Sequence, residues 1–531
     1  MKKIFLTIIA FSSMLIFPQE KNPNVELPDF VILGRDVVSV RKVEKQSPDF
    51  IPIISNKFIR PSYKPDQLNI VDISNPVESD LSLLDSTNFR KGSIELGAGR
   101  YQLPAGKISY AFPFTRGIIH GGVKGFNQTK YVDNSDRKLL EGSLDFAYTL
   151  PTDLEALPGT KFSLNGNHTK NDFKFFGSID PTRKRNLNIG HASAGVQNLF
   201  MKDFIFDLNG GGDFTYLDNE KFNEAVYFGN GFARIKLNDF GLGVKAAYQN
   251  QNLTTDSISN YNSDFLFLRP TASFKLFNKI FLEAGLTYSA SGSAKLTALY
   301  ASAGAELSKN LVLLAEYSPE AEYLTNGKFM QENFYYNQNN LNRVFFKKKN
   351  KIAATIKYEY GTYYQINGGV EYFSTDNLPY FINPSQSGFF NVAQSDAKSF
   401  NLFLDLIYHP GPFGYLYARF DYFDVKNSDS KKIPYSPDFK AALTYGYDFS
   451  NELNGEVKLY YFSDRYADLE NNSERKLPGF FNLGANATYT FERNFGVFFE
   501  IMNLLNAKKS VWEGYQVKPI DVLLGIRYFF E

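Results

Sequence analysis

The chain has 531 residues and no cysteine, which excludes disulfides, thiolate metal sites, cysteine nucleophiles and a lipid-modified N-terminal cysteine. Lys and Arg total 57 against 56 Asp and Glu, so no nucleic-acid partner is expected. Aromatics reach 16%, with 52 Phe and 34 Tyr but a single Trp, a strand-prone composition that points to an all-β protein.

The first residues read MKKIFLTIIAFSSMLIFPQE. Lys2 and Lys3 precede a short apolar run from Ile4 to Phe17, the pattern of a secretory signal peptide, assigned to residues 1–19. The run is too short to cross a bilayer as a helix, and no stretch of 18 apolar residues follows it. Export without a transmembrane helix is the expectation. Residues 20–92 are proline-rich (NPNVELPDF, SPDFIPI, RPSYKPDQL) and read as a mostly irregular periplasmic segment, with DFVILG (29–34) its best strand.

From residue 93 the text alternates with period two. In LNGEVKLYY, Leu453, Gly455, Val457, Leu459 and Tyr461 oppose Asn454, Glu456, Lys458 and Tyr460. LGANATYTF (483–491), IAATIKYEY (352–360), LEGSLDFAYTL (140–150) and IFLEAGLTYS (280–289) behave alike. The polar face repeatedly carries full charges. Alternation alone also suits a soluble sandwich, but the connections discriminate. Read back from the C-terminus, tight turns (FERN, FSNE, HPGPF, YGT) alternate with long loops (463–476, 426–437, 374–397, 319–350). Short turns at one end and long loops at the other are the habit of outer-membrane barrels.

The predicted strands begin near 93, 105, 117, 139, 160, 187, 205, 225, 240, 264, 279, 296, 311, 351, 362, 398, 413, 438, 453, 478, 495 and 520. The expected fold is therefore an all-β transmembrane antiparallel barrel of about 22 strands over residues 93–531. An even count puts both chain ends on the periplasmic side. The last strand, VLLGIRYFFE, sets Val522, Leu524, Ile526, Tyr528 and Phe530 toward lipid. Its terminal alternation ending in Phe also resembles the signal read by the barrel assembly machinery, with Glu531 as one extra residue.

The C-terminal order LPGFFNLGANATYTF, FGVFFEIMNLLNAKKSVWEGY, VLLGIRYFF resembles that of TonB-dependent receptors. Its most specific piece is Glu500–Ile501–Met502–Asn503–Leu504–Leu505–Asn506. The resemblance implies a 22-strand barrel for solute uptake or passage across the outer membrane. It fails at the N-terminus, where residues 20–92 are too short for that family's plug. Three arrangements stay open: a reduced plug, a separate plug protein, or an open pore. VELPDFVILG (25–34) resembles the stretch near a TonB-contacting box, which would imply a periplasmic energy-coupling partner; an ordinary strand is the plainer reading. Outer-membrane lipid is the remaining expected partner.

Signals of chemistry are sparse, and the chain reads as a non-enzyme without a cofactor. GHASAG (190–195) is one residue off a nucleophile-elbow spacing and lies within a strand, so His191 and Ser193 read as ordinary wall residues. His120, His168, His191 and His409 show no metal spacing. DNSD (133–136) could touch Ca²⁺ but reads as a solvated acidic loop. Two long loops carry candidate recognition groups. Lys347, Lys348, Lys349 and Lys351 could meet lipopolysaccharide phosphates or anchor at the interface. Tyr380, Phe381, Phe389 and Phe390 could stack on a ligand or on one another and close the outer mouth. Two rivals to uptake remain: a non-transporting scaffold or partner-binding barrel, and a secreted soluble all-β binding protein.

Overall fold

A computed structural model describes residues 91–531, apart from 531 itself and a few turn residues (156, 199–200, 202, 257–259, 277–278, 309, 339–342, 361–363, 412–413 and 493). Residues 1–19, expected to be a signal peptide, and the body of the proline-rich segment, including 25–34, lie outside the described residues.

The first ten strands are β1 (Gly92–Gly99), β2 (Gln102–Phe114), β3 (Gly117–Gln128), β4 (Arg137–Thr149), β5 (Lys161–Lys174), β6 (Lys184–Asn198), β7 (Phe204–Leu217), β8 (Phe222–Leu237), β9 (Phe240–Thr255) and β10 (Tyr261–Leu276). Next come β11 (Ile280–Ser291), β12 (Ala294–Ser308), β13 (Leu311–Tyr317), β14 (Glu320–Thr325), the short helix α1 (Asn326–Glu332), β15 (Arg343–Tyr360), β16 (Tyr364–Ile382), β17 (Asn391–Gly411), β18 (Gly414–Asn427), β19 (Phe439–Asp448) and β20 (Leu453–Phe462). After the small hairpin β21 (Arg465–Tyr466) and β22 (Lys476–Leu477) follow β23 (Phe480–Phe491) and β24 (Phe495–Met502). A second hairpin, β25 (Ser510–Trp512) and β26 (Tyr515–Gln516), precedes β27 (Asp521–Phe530).

Each wall strand pairs antiparallel with its neighbour, and β1 pairs with β27, from Gly92↔Phe530 to Gly99↔Leu523, so the sheet has no edge. β13 and β14 follow one another along β15 and form one stave interrupted at Ser318 and Pro319. The result is a closed barrel of 22 strands. Closure is what permits a sheet to stand in lipid, because every backbone N–H and C=O finds a partner inside the wall.

The two faces separate as the alternation requires. Leu299, Leu524 and Ile526 are 67%, 61% and 60% exposed on the outer surface. Charged residues of the alternate set turn inward and pair: Arg527 with Glu95 at 3.1 Å, Arg234 with Glu283 at 2.6 Å, Lys458 with Glu456 at 2.9 Å. At the short-turn end, Tyr360 meets Tyr364 and Phe491 meets Phe495, with ring centroids 5.3 and 6.1 Å apart, part of an aromatic belt of the interfacial kind.

Most strand starts fall within three residues of the sequence reading. Two staves begin earlier: β15 at Arg343 rather than 351, and β17 at Asn391 rather than 398. The outer part of β15 hides its strand character because its register with β16 shifts between Lys349 and Ile352, where Asn350 takes φ 48°. A bulge flips the parity of every residue beyond it. The basic run of the supposed loop 319–351 is thus largely strand. The true connection is 326–342, and that of 374–397 shrinks to 383–390.

Candidate functional site

The long-loop end of the barrel is closed by its own side chains. Phe175, Phe329, Met330, Tyr335, Tyr336, Phe381, Phe390, Tyr435, Trp512 and Tyr515 form one buried cluster. They come from the connections after β5, β14, β16, β18 and β24, together with the outer end of β16. Trp512 meets Phe381, Phe390 and Tyr435 at centroid distances of 5.2, 5.1 and 5.0 Å. Tyr335 stacks on Tyr515 at 3.5 Å. Such edge-on and offset contacts add to the area each ring removes from water.

Polar groups tie this dome together. Glu513 accepts two bonds from Arg475, at 3.0 and 2.5 Å, and one from Asn383 at 2.8 Å, joining three loops through one carboxylate. Tyr515 Oη donates to Gly388 O at 2.7 Å, and Ile179 N donates to Ser387 O at 2.9 Å. Gly388 needs its φ of +75°, and a Cβ there would lie 2.4 Å from Ser178 Cα. Arg465 donates to Ser510 O and Val511 O at 3.2 and 3.4 Å, and burial pulls its guanidinium down to about 10. Burial likewise pushes the Tyr131 phenol up to about 12; its Oη donates to Gln516 O at 3.0 Å.

The loop that carries α1 also docks on the wall. Arg185 holds Glu220 bidentately at 3.0 and 3.2 Å and donates to the carbonyls of Phe334 and Tyr336. Glu224 accepts from Gln251 Nε2 and from Gly327 N, both at 2.7 Å, and so seats the start of α1.

The sequence candidates fall out as follows. Phe381 and Phe390 are fully buried in the dome, Tyr380 packs with Ala397 and Ile433, and Phe389 lies beneath Arg183 at 5.0 Å. They close the mouth rather than line an open ligand cleft. Lys348 and Lys351 are buried, paired with Glu322 and Glu320 at 2.5 Å, and so are neither interfacial anchors nor lipopolysaccharide contacts. Lys349 pairs with Asp376, and Lys347 lies over Phe345. In DNSD, Asp133 and Asp136 pair with Lys130 and Lys174 at 3.2 and 2.7 Å. Among the described residues no cluster of His, Asp and Glu is arranged to hold a metal. His120 faces Asp145 at 3.4 Å, and His168 stacks with Tyr216. Asn503 and Asn506 both adopt φ of 50°. Asn503 caps Ala507 N at 2.9 Å and donates to Lys518 O at 2.8 Å, so the 500–506 stretch shapes the last long loop.

His191 and Ser193 face the lumen and are joined. His191 Nε2 lies 3.1 Å from Ser193 Oγ, and His191 Nδ1 lies 2.7 Å from Asp213 Oδ1. Asp213 is the cross-strand partner of His191 on β7. The period-two pattern puts His191 and Ser193 on one face, but the pairing register that brings Asp213 beside them is not written locally.

No family model matches this chain, and no curated protein does. Its fold is nonetheless shared with solved structures. The ferric-catecholate import receptor Fiu of E. coli K12 superposes with a TM-score of 0.60 at 10% identity, over 83% of this chain and 82% of that one. The FrpB iron transporter of Neisseria meningitidis gives 0.60 at 12% identity, over 84% and 82%. The siderophore receptor PiuA of Acinetobacter baumannii gives 0.57 at 11% identity, over 84% and 82%. The architecture is that of a TonB-dependent-receptor-like barrel.

Proposed function

We propose that this protein is an outer-membrane barrel that takes up a solute through a mouth gated by its aromatic dome. The observation that carries the reading is the single buried cluster formed by the long loops. A general porin keeps an aqueous channel open. Here the loops spend their apolar area on one another, so passage requires the dome to separate. The neighbours that share the fold are receptors and transporters by name, which supports uptake over the role of a secreted soluble binding protein. Residues 1–19 would export the chain, residues 20–92 would remain on the periplasmic side as a reduced plug or partner-binding arm, and residues 93–531 would form the barrel. Assembly machinery, bilayer lipid and an energy-coupling protein are the partners this scheme needs.

Trp512, the sole tryptophan of the chain, is 2% exposed at the centre of the dome. Its emission therefore reports dome opening. Titration of the full-length protein with a ferric catecholate, and separately with a copper(II) salt, is expected to red-shift that emission with one probe. Locking the dome with cysteines at Ile179 and Ser387, in a chain otherwise free of cysteine, should abolish the shift until reductant is added. An emission that neither probe moves, with a locked variant indistinguishable from wild type in cells, favours the non-transporting scaffold.

A further inference from the structure

We propose that Ser193, His191 and Asp213 form a serine-hydrolase site in the barrel lumen, acting on a small carboxylic ester. The proposal is independent of the gating reading.

The geometry comes first. Asp213 Oδ1 lies 2.7 Å from His191 Nδ1 and, as an acceptor, fixes the proton on that nitrogen. Nε2 is then the acceptor, and Ser193 Oγ stands 3.1 Å from it. Nucleophile, base and orienting carboxylate are linked in the order that acyl transfer needs. The strand period and one wall pairing produce this: His191 and Ser193 are two apart on β6, and Asp213 is opposite His191 on β7.

The surroundings suit a reacting carbonyl. Ser193 lies between Gly211 on β7 and Asn165 on β5. A Cβ at Gly211 would come within 2.9 Å of Ser193 Cβ, so glycine keeps that flank clear. Asn165 occupies the cross-strand position on the same face, where its amide can donate to an oxyanion. Phe228 stacks on the His191 ring at 5.7 Å with planes 14° apart, giving an apolar wall for the acyl group. Lys328 of α1 reaches to 3.9 Å from Asp213 Oδ2, so the inward loop roofs the site. A wall ion pair would need the carboxylate and imidazole alone. The hydroxyl on the far nitrogen is the element such a pair does not require.

The reaction balances without a cofactor. Ser193 Oγ attacks the ester carbonyl as its proton passes to His191 Nε2. The tetrahedral intermediate collapses, the C–O bond to the alcohol breaks, and His191 returns the proton to the leaving alkoxide. Water then attacks the acyl-serine, with His191 taking its proton, and carboxylic acid leaves as Ser193 regains its hydrogen. The sum is ester plus water giving acid plus alcohol. Ser193 and His191 are catalytic; Asp213 is a positioning residue.

The test uses the full-length protein in detergent, folded by heat-modifiability, beside Trp512→Ala, which loosens the roof so that access does not decide the result. A fluorophosphonate probe should label Ser193, located by peptide mass spectrometry, and p-nitrophenyl acetate should be hydrolysed. Ser193→Ala should abolish both, and His191→Gln should reduce hydrolysis by about 10²–10⁴-fold. Asp213→Asn should lower kcat with KM little changed, because the imidazole loses the acceptor that fixes its tautomer and orientation. No labelling of Ser193 in either folded protein, or hydrolysis that survives Ser193→Ala, would overturn the proposal. An Asp213→Asn variant with wild-type kcat would overturn the triad.

Discussion

Leu459 and Lys458 are adjacent in sequence and belong to different solvents. Leu459 stands in register between Leu443 and Leu483, while Lys458 turns inward to Glu456. Leu459→Arg is therefore expected to impair folding into lipid vesicles, since Arg toward the midplane costs roughly 2–4 kcal/mol. Lys458→Ala should fold almost as wild type; equal urea midpoints for the two variants would contradict the assignment of faces. A second residue-scale expectation concerns acid. Asp464 has its carboxyl held below the usual range by the bond from Lys476, helped by Gly479 N at 2.6 Å. A depressed carboxylate pKa contributes stability above the unfolded value near 4 and loses it as pH falls through the folded value. Hydrogen-exchange protection factors in residues 463–479, taken against the intrinsic rate at each pH, should thus fall below about pH 4 and stay flat from pH 5 to 8; Asp464→Asn should remove that dependence. The faces of Leu459 and Lys458 were legible from alternation. That Leu459 meets Leu443 and Leu483 was not, because a cross-strand neighbour is set by register over many residues.

At the scale of elements, tight turns were readable because FERN, FSNE and YGT interrupt alternation with polar or flexible residues. The long loops were readable as connections, but not their contacts. Their side chains pack across the mouth on partners hundreds of residues away, as Tyr131 on Gln516 and Asn383 on Glu513 do. Lys348 and Lys351 misled for the same reason: a basic run suggests a solvated surface, and only the bulge at Asn350 turns these two inward onto glutamates. Two substitutions test the dome as a unit. Trp512→Ala removes a buried indole and should weaken the dome by about 3–5 kcal/mol, as such truncations do in packed cores. Gly388→Val forces a β-branched residue into φ +75° against Ser178. Either should leave heat-modifiability of the barrel intact while admitting protease at Lys508 or Arg475. A dome that resists cleavage in both variants would show that the loops hold without these contacts.

For the whole molecule, barrel closure and mouth closure are separate facts. The wall seals through β1 and β27, with Arg527 on Glu95 across the seam. The mouth is covered by the loop side chains of the dome. The most direct measurement is planar-bilayer current from protein lacking residues 22–90, with insertion checked by heat-modifiability. Silence is expected from this truncation, and steady channels from the same truncation carrying Trp512→Ala and Gly388→Val. Large, stable currents from the truncated protein with its dome intact would contradict the gate and make the barrel an open pore.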